Sequence, residues 1–167
     1  MPTIIAVISD THCSTWEEVH PDIRKAVEVS DIAVHCGDIV RMPVVEGFLR
    51  SAAIGYIVHG NSDPKEIRDS LPGKEILQIN EIVFGVIHPY WGGAPPIDYE
   101  LILNQFQEIK PQYILFGHTH DPQIELYKGV TFINPGQGYS EFVIPASYCI
   151  IKMDKNHLSI EITKILN

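Results

Sequence analysis

The first sixty residues alternate short apolar runs with helical segments, and this alternation restricts the chain to an α/β fold. Thr3 to Ser9 (TIIAVIS) is continuously apolar, the mark of a strand buried on both faces. Thr15 to Val29 carries helical periodicity at Trp16, Val19, Ile23, Ala26 and Val27. Ser14 or Thr15 is a candidate N-cap, with Glu17 and Glu18 in the first turn. Ile32 to Cys36 and Ala53 to Val58 are further strands, separated by a short helix, Val44 to Arg50, after Pro43. Such a rhythm implies right-handed crossovers and a largely parallel sheet.

After Pro72-Gly73 the pattern changes. Glu75 to Ile79 and Ile82 to Ile87 read as strands meeting at Asn80-Glu81. Ile97 to Ile109 reads as a helix ended by Pro111, and Gln112 to Phe116 as another buried strand. Four strand-length pieces follow: Ile124 to Tyr127, Val130 to Ile133, Ser147 to Met153 and Leu158 to Ile165. Lys128-Gly129 and Lys155-Asn156 mark hairpin turns. The second half is therefore expected to be mixed or antiparallel. At 167 residues the chain is expected to form one domain over residues 1–167.

Charge narrows the partners. With 21 acidic against 12 basic residues the net charge is −9, the wrong sign for holding a nucleic-acid polymer. No apolar run approaches the ~18 residues of a membrane span. Met1-Pro2-Thr3 offers no basic leader, and Cys13, Cys36 and Cys149 form no CxxC pair, so a reducing cytoplasm is the expected location.

The polar residues fall in a revealing order. Asp10-Thr11-His12 follows the first strand, Gly37-Asp38 the second, and Gly60-Asn61-Ser62-Asp63 the third. His88 follows Ile87, and Gly117-His118-Thr119-His120 follows Phe116. Taken alone, Asp10 to His12 is equally a polar turn, and Asn61 to Asp63 equally an Asx turn. Taken together, five strand ends carrying Asp, His or Asn exceed what turn chemistry supplies. Ligands of open α/β sheets bind at the carboxyl ends of strands. The set comprises two carboxylates (Asp10, Asp38), four imidazoles (His12, His88, His118, His120) and one amide (Asn61). That is too many for one tetrahedral ion and suits a pair of borderline divalent cations.

The motifs DTH, GDI, GNSD, the strand-end His88 and GHTH, in this order, resemble the calcineurin-like metallophosphoesterase family, in particular its small single-domain phosphodiesterase branch. Asn134-Pro135-Gly136 extends the likeness over nearly the whole chain. The resemblance implies a four-layer α/β/β/α sandwich. It implies two divalent metal ions, Mn foremost, with Ni, Fe, Zn or Co as alternatives. One ion would take Asp10, His12 and His120, the other Asn61, His88 and His118, with Asp38 bridging. A hydroxide shared by the ions would then hydrolyse a small phosphate ester, with Asp38, Asn61 and His88 acting through it. The alternative is a catalytically silent protein-binding scaffold, a use to which the retromer subunit puts this fold.

Three features depart from the family pattern. Ser62 stands where many relatives carry a leaving-group His, which favours esters whose leaving group needs no proton. Tyr90 replaces the second His of a His-Gly-His motif; with Trp91 it reads as a wall of the substrate mouth or as simple loop packing. Gln137-Gly138-Tyr139 follows Asn134-Pro135-Gly136 with no Arg nearby, so a positive contact to phosphate is absent from the motif. His59 and Ser62 join Tyr90 as candidate substrate-binding residues. Asp63 reads as an acid holding a loop or ligand in place, His35 as a core or supporting residue, Trp16 as core, and His20 and His157 as surface. Phe142 to Ala146 is a candidate homo-oligomer patch or a core strand.

Overall fold

The apolar run at the start of the chain forms β1 (Thr3–Ile8), whose alternate residues face two cores. Ile5 and Val7 point toward a second sheet, and Ile8 packs beneath helices. A computed structural model describes residues 1–89, 97–141 and 143–166. Tyr90, Trp91 and Phe142, singled out from the sequence, lie outside the described residues.

The described residues form two five-stranded sheets. In the first, β1 pairs in parallel with β2 (Ile32–His35), which pairs in parallel with β3 (Gly55–Ile57). On its other side β1 pairs antiparallel with β9 (Ser147–Asp154), and β9 with β10 (His157–Lys164). The second sheet runs β4 (Lys74–Ile79), β5 (Ile82–Ile87), β6 (Tyr113–Phe116), β8 (Val130–Asn134), β7 (Gln123–Tyr127). Its centre, β5-β6-β8, is parallel, and its edges are antiparallel. The expected mixed second half is thus observed, except that its last two strands return to the first sheet.

Three cores separate four layers. Helices α1 (Pro21–Val29), α2 (Met42–Ser51) and α3 (Lys65–Ser70) bury Ile23, Val44, Phe48 and Ile67 against the outer face of the first sheet. Between the sheets lie Ile5, Val34, Phe84, Val86, Leu115 and Ile133. Beyond the second sheet, Ile102 of α4 (Tyr99–Asn104) and Phe106 pack on Ile114, Phe116 and Phe132. Among the described residues no helix is long and apolar enough to cross a membrane.

The helices depart from expectation where local chemistry intervenes. The segment expected as one helix from Thr15 divides into a 3₁₀ turn, Trp16–Glu18, and α1. Pro21 causes the break, because the residue before a proline is driven to extended backbone while proline itself suits a first helical turn. Accordingly His20 adopts φ −51°, ψ 137°. The helix expected over 97–109 keeps its regular form only through Asn104. Beyond it the bonds tighten to Phe106 N–Leu103 O and Ile109 N–Phe106 O, and Lys110 reaches φ +52°. Lys74 Nζ takes the freed Gln105 carbonyl at 2.7 Å. Helix α3 was not foreseen; it is six residues long and buries only Ile67. The three hairpins turn where expected, with positive φ at Asn80, Lys128 and Lys155.

Candidate metal centre

Both parallel triplets deliver their carboxyl ends to one rim. The first sheet supplies Asp10 and His12 after β1, Asp38 after β2 and Asn61 after β3; the second supplies His88 after β5 and His118 and His120 after β6. The backbone there is contorted. Asp10, His12, Asp38, Val40, His118 and His120 all have positive φ, and the other described non-glycine residues that do so lie in turns. Each such residue costs about 1–3 kcal/mol and persists only where its surroundings outweigh that cost, and such strain concentrates at functional sites.

Neighbouring glycines permit the approach. A Cβ at Gly117 would lie 2.0 Å from Ser9 Oγ and 2.7 Å from Asp10 Oδ2, and one at Gly60 would lie 2.1 Å from Asp38 Oδ1. A methyl group at either position would displace a carboxylate.

Each carboxylate is tethered by one oxygen and presents the other. Asp10 Oδ2 accepts from Ser9 Oγ at 2.6 Å and from His118 N at 3.1 Å. Asp10 Oδ1 is buried without a hydrogen-bond partner. Asp38 Oδ1 accepts from Ser62 N at 2.8 Å, while Oδ2 faces His88 Nε2 at 3.3 Å and His12 Nε2 at 3.6 Å. Around Asp10 Oδ1 stand His120 Nε2 at 3.2 Å, His88 Nε2 at 3.9 Å and His12 Nε2 at 4.0 Å. One ligand atom each from Asp10, His12, Asp38 and His120 fits within 4.8 Å. Asn61 Oδ1 closes the other flank, 2.9 Å from His88 Nε2 and 3.2 Å from His118 Nδ1.

The rings are aimed by their other nitrogens. His88 Nδ1 lies 2.8 Å from the Cys36 carbonyl, which must accept, so Nδ1 carries a proton and Nε2 is the nitrogen turned toward the carboxylates. His120 Nδ1 lies 3.0 Å from Gln137 Oε1. Electrostatics follow from this crowding. Burial pushes the Asp10 carboxyl up, but the His120 ring, the His88 charge and the Ser9 hydroxyl outweigh it and hold its pKa below the usual value. Asp38 is likewise held well below the carboxylate range by His12 and His88, against its own burial. Burial works against charge on His88, yet Asp38 and Asp10 raise its pKa, and Asp10 raises that of His120. A buried, partnerless carboxylate oxygen facing several ring nitrogens, in a mixed oxygen and nitrogen donor set, fits a borderline divalent cation.

A family model described as the calcineurin-like phosphoesterase superfamily domain matches residues 4–156. The chain belongs to this superfamily. It is 35% identical over 139 residues to a probable metallophosphoesterase of Methanocaldococcus jannaschii, covering 80% of this chain and 67% of the relative. A phosphodiesterase from the same organism is 26% identical over 149 residues, covering 80% and 82%. A Vps29 structure from Entamoeba histolytica, solved in complex with Zn²⁺, superposes with a TM-score of 0.74 at 18% identity, covering 98% of each chain. At that identity the likeness concerns the fold.

Within this superfamily fold the supporting residues are specific. Asp63 accepts from the backbone amides of Asp38, Ile39, Val40 and Gly60 at 2.6–3.1 Å, clasping the second motif to the third. Asn134 donates to Thr119 Oγ1 at 2.9 Å and so holds the loop between His118 and His120. His35 accepts from Gly37 N at 3.2 Å and therefore donates through Nε2 to Thr11 Oγ1 at 3.0 Å; burial drives its pKa down to about 3. Its reading as a supporting residue agrees with this placement. Ser62 is exposed beside Asp38. The His59 ring lies against Gly73, with Nδ1 buried and unpartnered. Trp16 is buried on Phe48, His20 caps α1, and His157 is exposed. Gln137 was noted in the sequence only as a departure from a motif; its contact with His120 spans seventeen positions, and no local signal reveals it.

Proposed function

We propose that this chain is a metal-dependent phosphodiesterase acting on a small phosphate ester through two divalent cations, Mn foremost, with Ni, Fe, Zn or Co able to substitute. The observation that carries the reading is the pair of presented carboxylate oxygens, Asp10 Oδ1 and Asp38 Oδ2, facing His12, His88 and His120 Nε2 at 3.2–4.0 Å. Asp10, His12 and His120 would hold one ion and Asn61, His88 and His118 the other, with Asp38 common to both. When bound, such ions lower the pKa of water and offset the charge on phosphate oxygens. The protein's part is to fix the donors: Cys36 O orients His88, Ser9 and His118 N turn Asp10, and Asp63 locks the Asp38 loop. His59, Ser62 and Tyr90 are the proposed substrate contacts. A serine hydroxyl is a weak acid, so aryl esters should be cleaved faster than alkyl esters. The diesterase preference draws support from the Methanocaldococcus jannaschii phosphodiesterase. We further read the chain as one domain and the free cysteines as suited to the cytoplasm.

A protein-binding scaffold is the second reading, favoured by the likeness to the zinc-bound Vps29. The test is hydrolysis of bis-p-nitrophenyl phosphate and p-nitrophenyl phosphate by chelator-stripped protein, with ions restored singly. Metal-restored diester cleavage supports the enzyme. Two bound ions without turnover under any metal would favour the scaffold.

A further inference from the structure

We propose that Gln137 is the positioning residue for His120, setting which ring nitrogen faces the metal centre and thereby the affinity of that side alone; this rests on the metal-centre reading above. Gln137 is 1% exposed, in the loop after β8. Its Nε2 donates to Tyr139 O at 2.8 Å. A carbonyl only accepts, so the amide nitrogen must face Tyr139 and Oε1 must face the ring. With Oε1 3.0 Å from His120 Nδ1, the proton there is held on Nδ1 and the Nε2 lone pair is left for the cation. A flipped amide would set its oxygen against the Tyr139 carbonyl and demand the opposite His120 tautomer.

The loop carrying this amide is anchored to the centre it serves. Gly138 N donates to Asp10 O at 3.0 Å, and Ser147 N donates to Gln137 O at 2.9 Å. A Cβ at Gly138 would lie 2.7 Å from Thr11 Cγ2, so the loop sits directly on the first motif. Tyr139 then covers the same side, with its ring 5.5 Å from that of His12 and 6.0 Å from that of His120. Main chain and side chain of residues 137–139 thus converge on Asp10, His12 and His120.

The test titrates chelator-stripped wild type, Gln137→Met and Gln137→Glu with Zn²⁺ against a chromophoric chelator, using Asn61→Ala to mark the step belonging to His120. Nitrogen-15 NMR of the zinc-loaded proteins follows the His120 Nδ1 proton. Methionine, similar in size but without an acceptor, should weaken the His120-side step by about 10–100-fold. It should leave the other step unchanged and lose the protected Nδ1 proton signal; glutamate, which keeps an acceptor, should restore most of both. Equal weakening of both steps, no weakening, or a loss that glutamate does not recover would overturn the assignment. Turnover does not enter, so a protein that binds zinc but cleaves no ester would defeat the proposed function and leave Gln137 in its role.

Discussion

His88 and His120 both turn Nε2 toward Asp10 Oδ1, yet they are held by different means. The His88 side chain is 0% exposed and bonds through Nδ1 to the main-chain carbonyl of Cys36, at the end of β2. That partner exists whenever the sheet forms, whatever residue occupies position 36. The His120 side chain is 30% exposed, lies in a loop, and depends on the side chain of Gln137. One side of the centre is therefore a consequence of the fold. The other can be retuned by a single substitution without disturbing a strand.

Several substitutions would break or sharpen this contrast. Asp38 faces both sides, so Asp38→Ala should abolish metal-restored diester cleavage, lowering kcat by about three orders of magnitude in keeping with the several kcal/mol that metal-ion catalysis supplies. A loss of tenfold or less would mean Asp38 is not shared. Gly117→Ala drives a methyl into Ser9 and Asp10 and should cost about 1–3 kcal/mol in urea denaturation, with metal uptake impaired on the Asp10 side first. Asp63→Asn places an amide nitrogen among four backbone donors and should cost about 1–3 kcal/mol, releasing the Asp38 loop and weakening both metal steps alike. Weakening of one step only would show that the clasp serves a single side.

A further contrast is in pH. His35 titrates near 3 when folded and near 6.5 when unfolded, so the unfolded chain binds the extra proton between those values. Stability should therefore fall as pH drops from about 6.5 toward 3, by up to about 1.4 kcal/mol per pH unit, and His35→Gln should flatten that slope. In metal-free protein His88 and His120 act in the opposite sense. Their folded pKa values are raised, so their contribution is complete below about 6.5 and is lost as pH rises through the folded values. Bound metal should abolish this alkaline loss, as melting curves with and without Zn²⁺ would show.

The strands and the candidate ligands were legible because both depend on short-range pattern. A buried strand announces itself as an apolar run, and a candidate ligand as an Asp, Asn or His within a few residues of its end. Ile82–Ile87 forms over the span read from the sequence, and the hairpins turn at the dipeptides that mark them. Periodicity failed where a single residue overrides it: Pro21 divides an otherwise continuous helical pattern. It was also silent on partnership. Nothing local in Ser147–Asp154 says that this strand pairs with β1 across more than 140 residues, as Val7 does with Cys149. The same limit hid Gln137, whose partner is set by where β6 and β8 end together in space.

The most direct measurement is a calorimetric titration of chelator-stripped protein with Zn²⁺, with native mass spectrometry counting the ions. Two ions per chain, taken up in distinguishable steps and reduced to one by Asn61→Ala, is the predicted result. A single ion in wild type, with the same affinity when Asn61 is replaced, would contradict the two-sided centre.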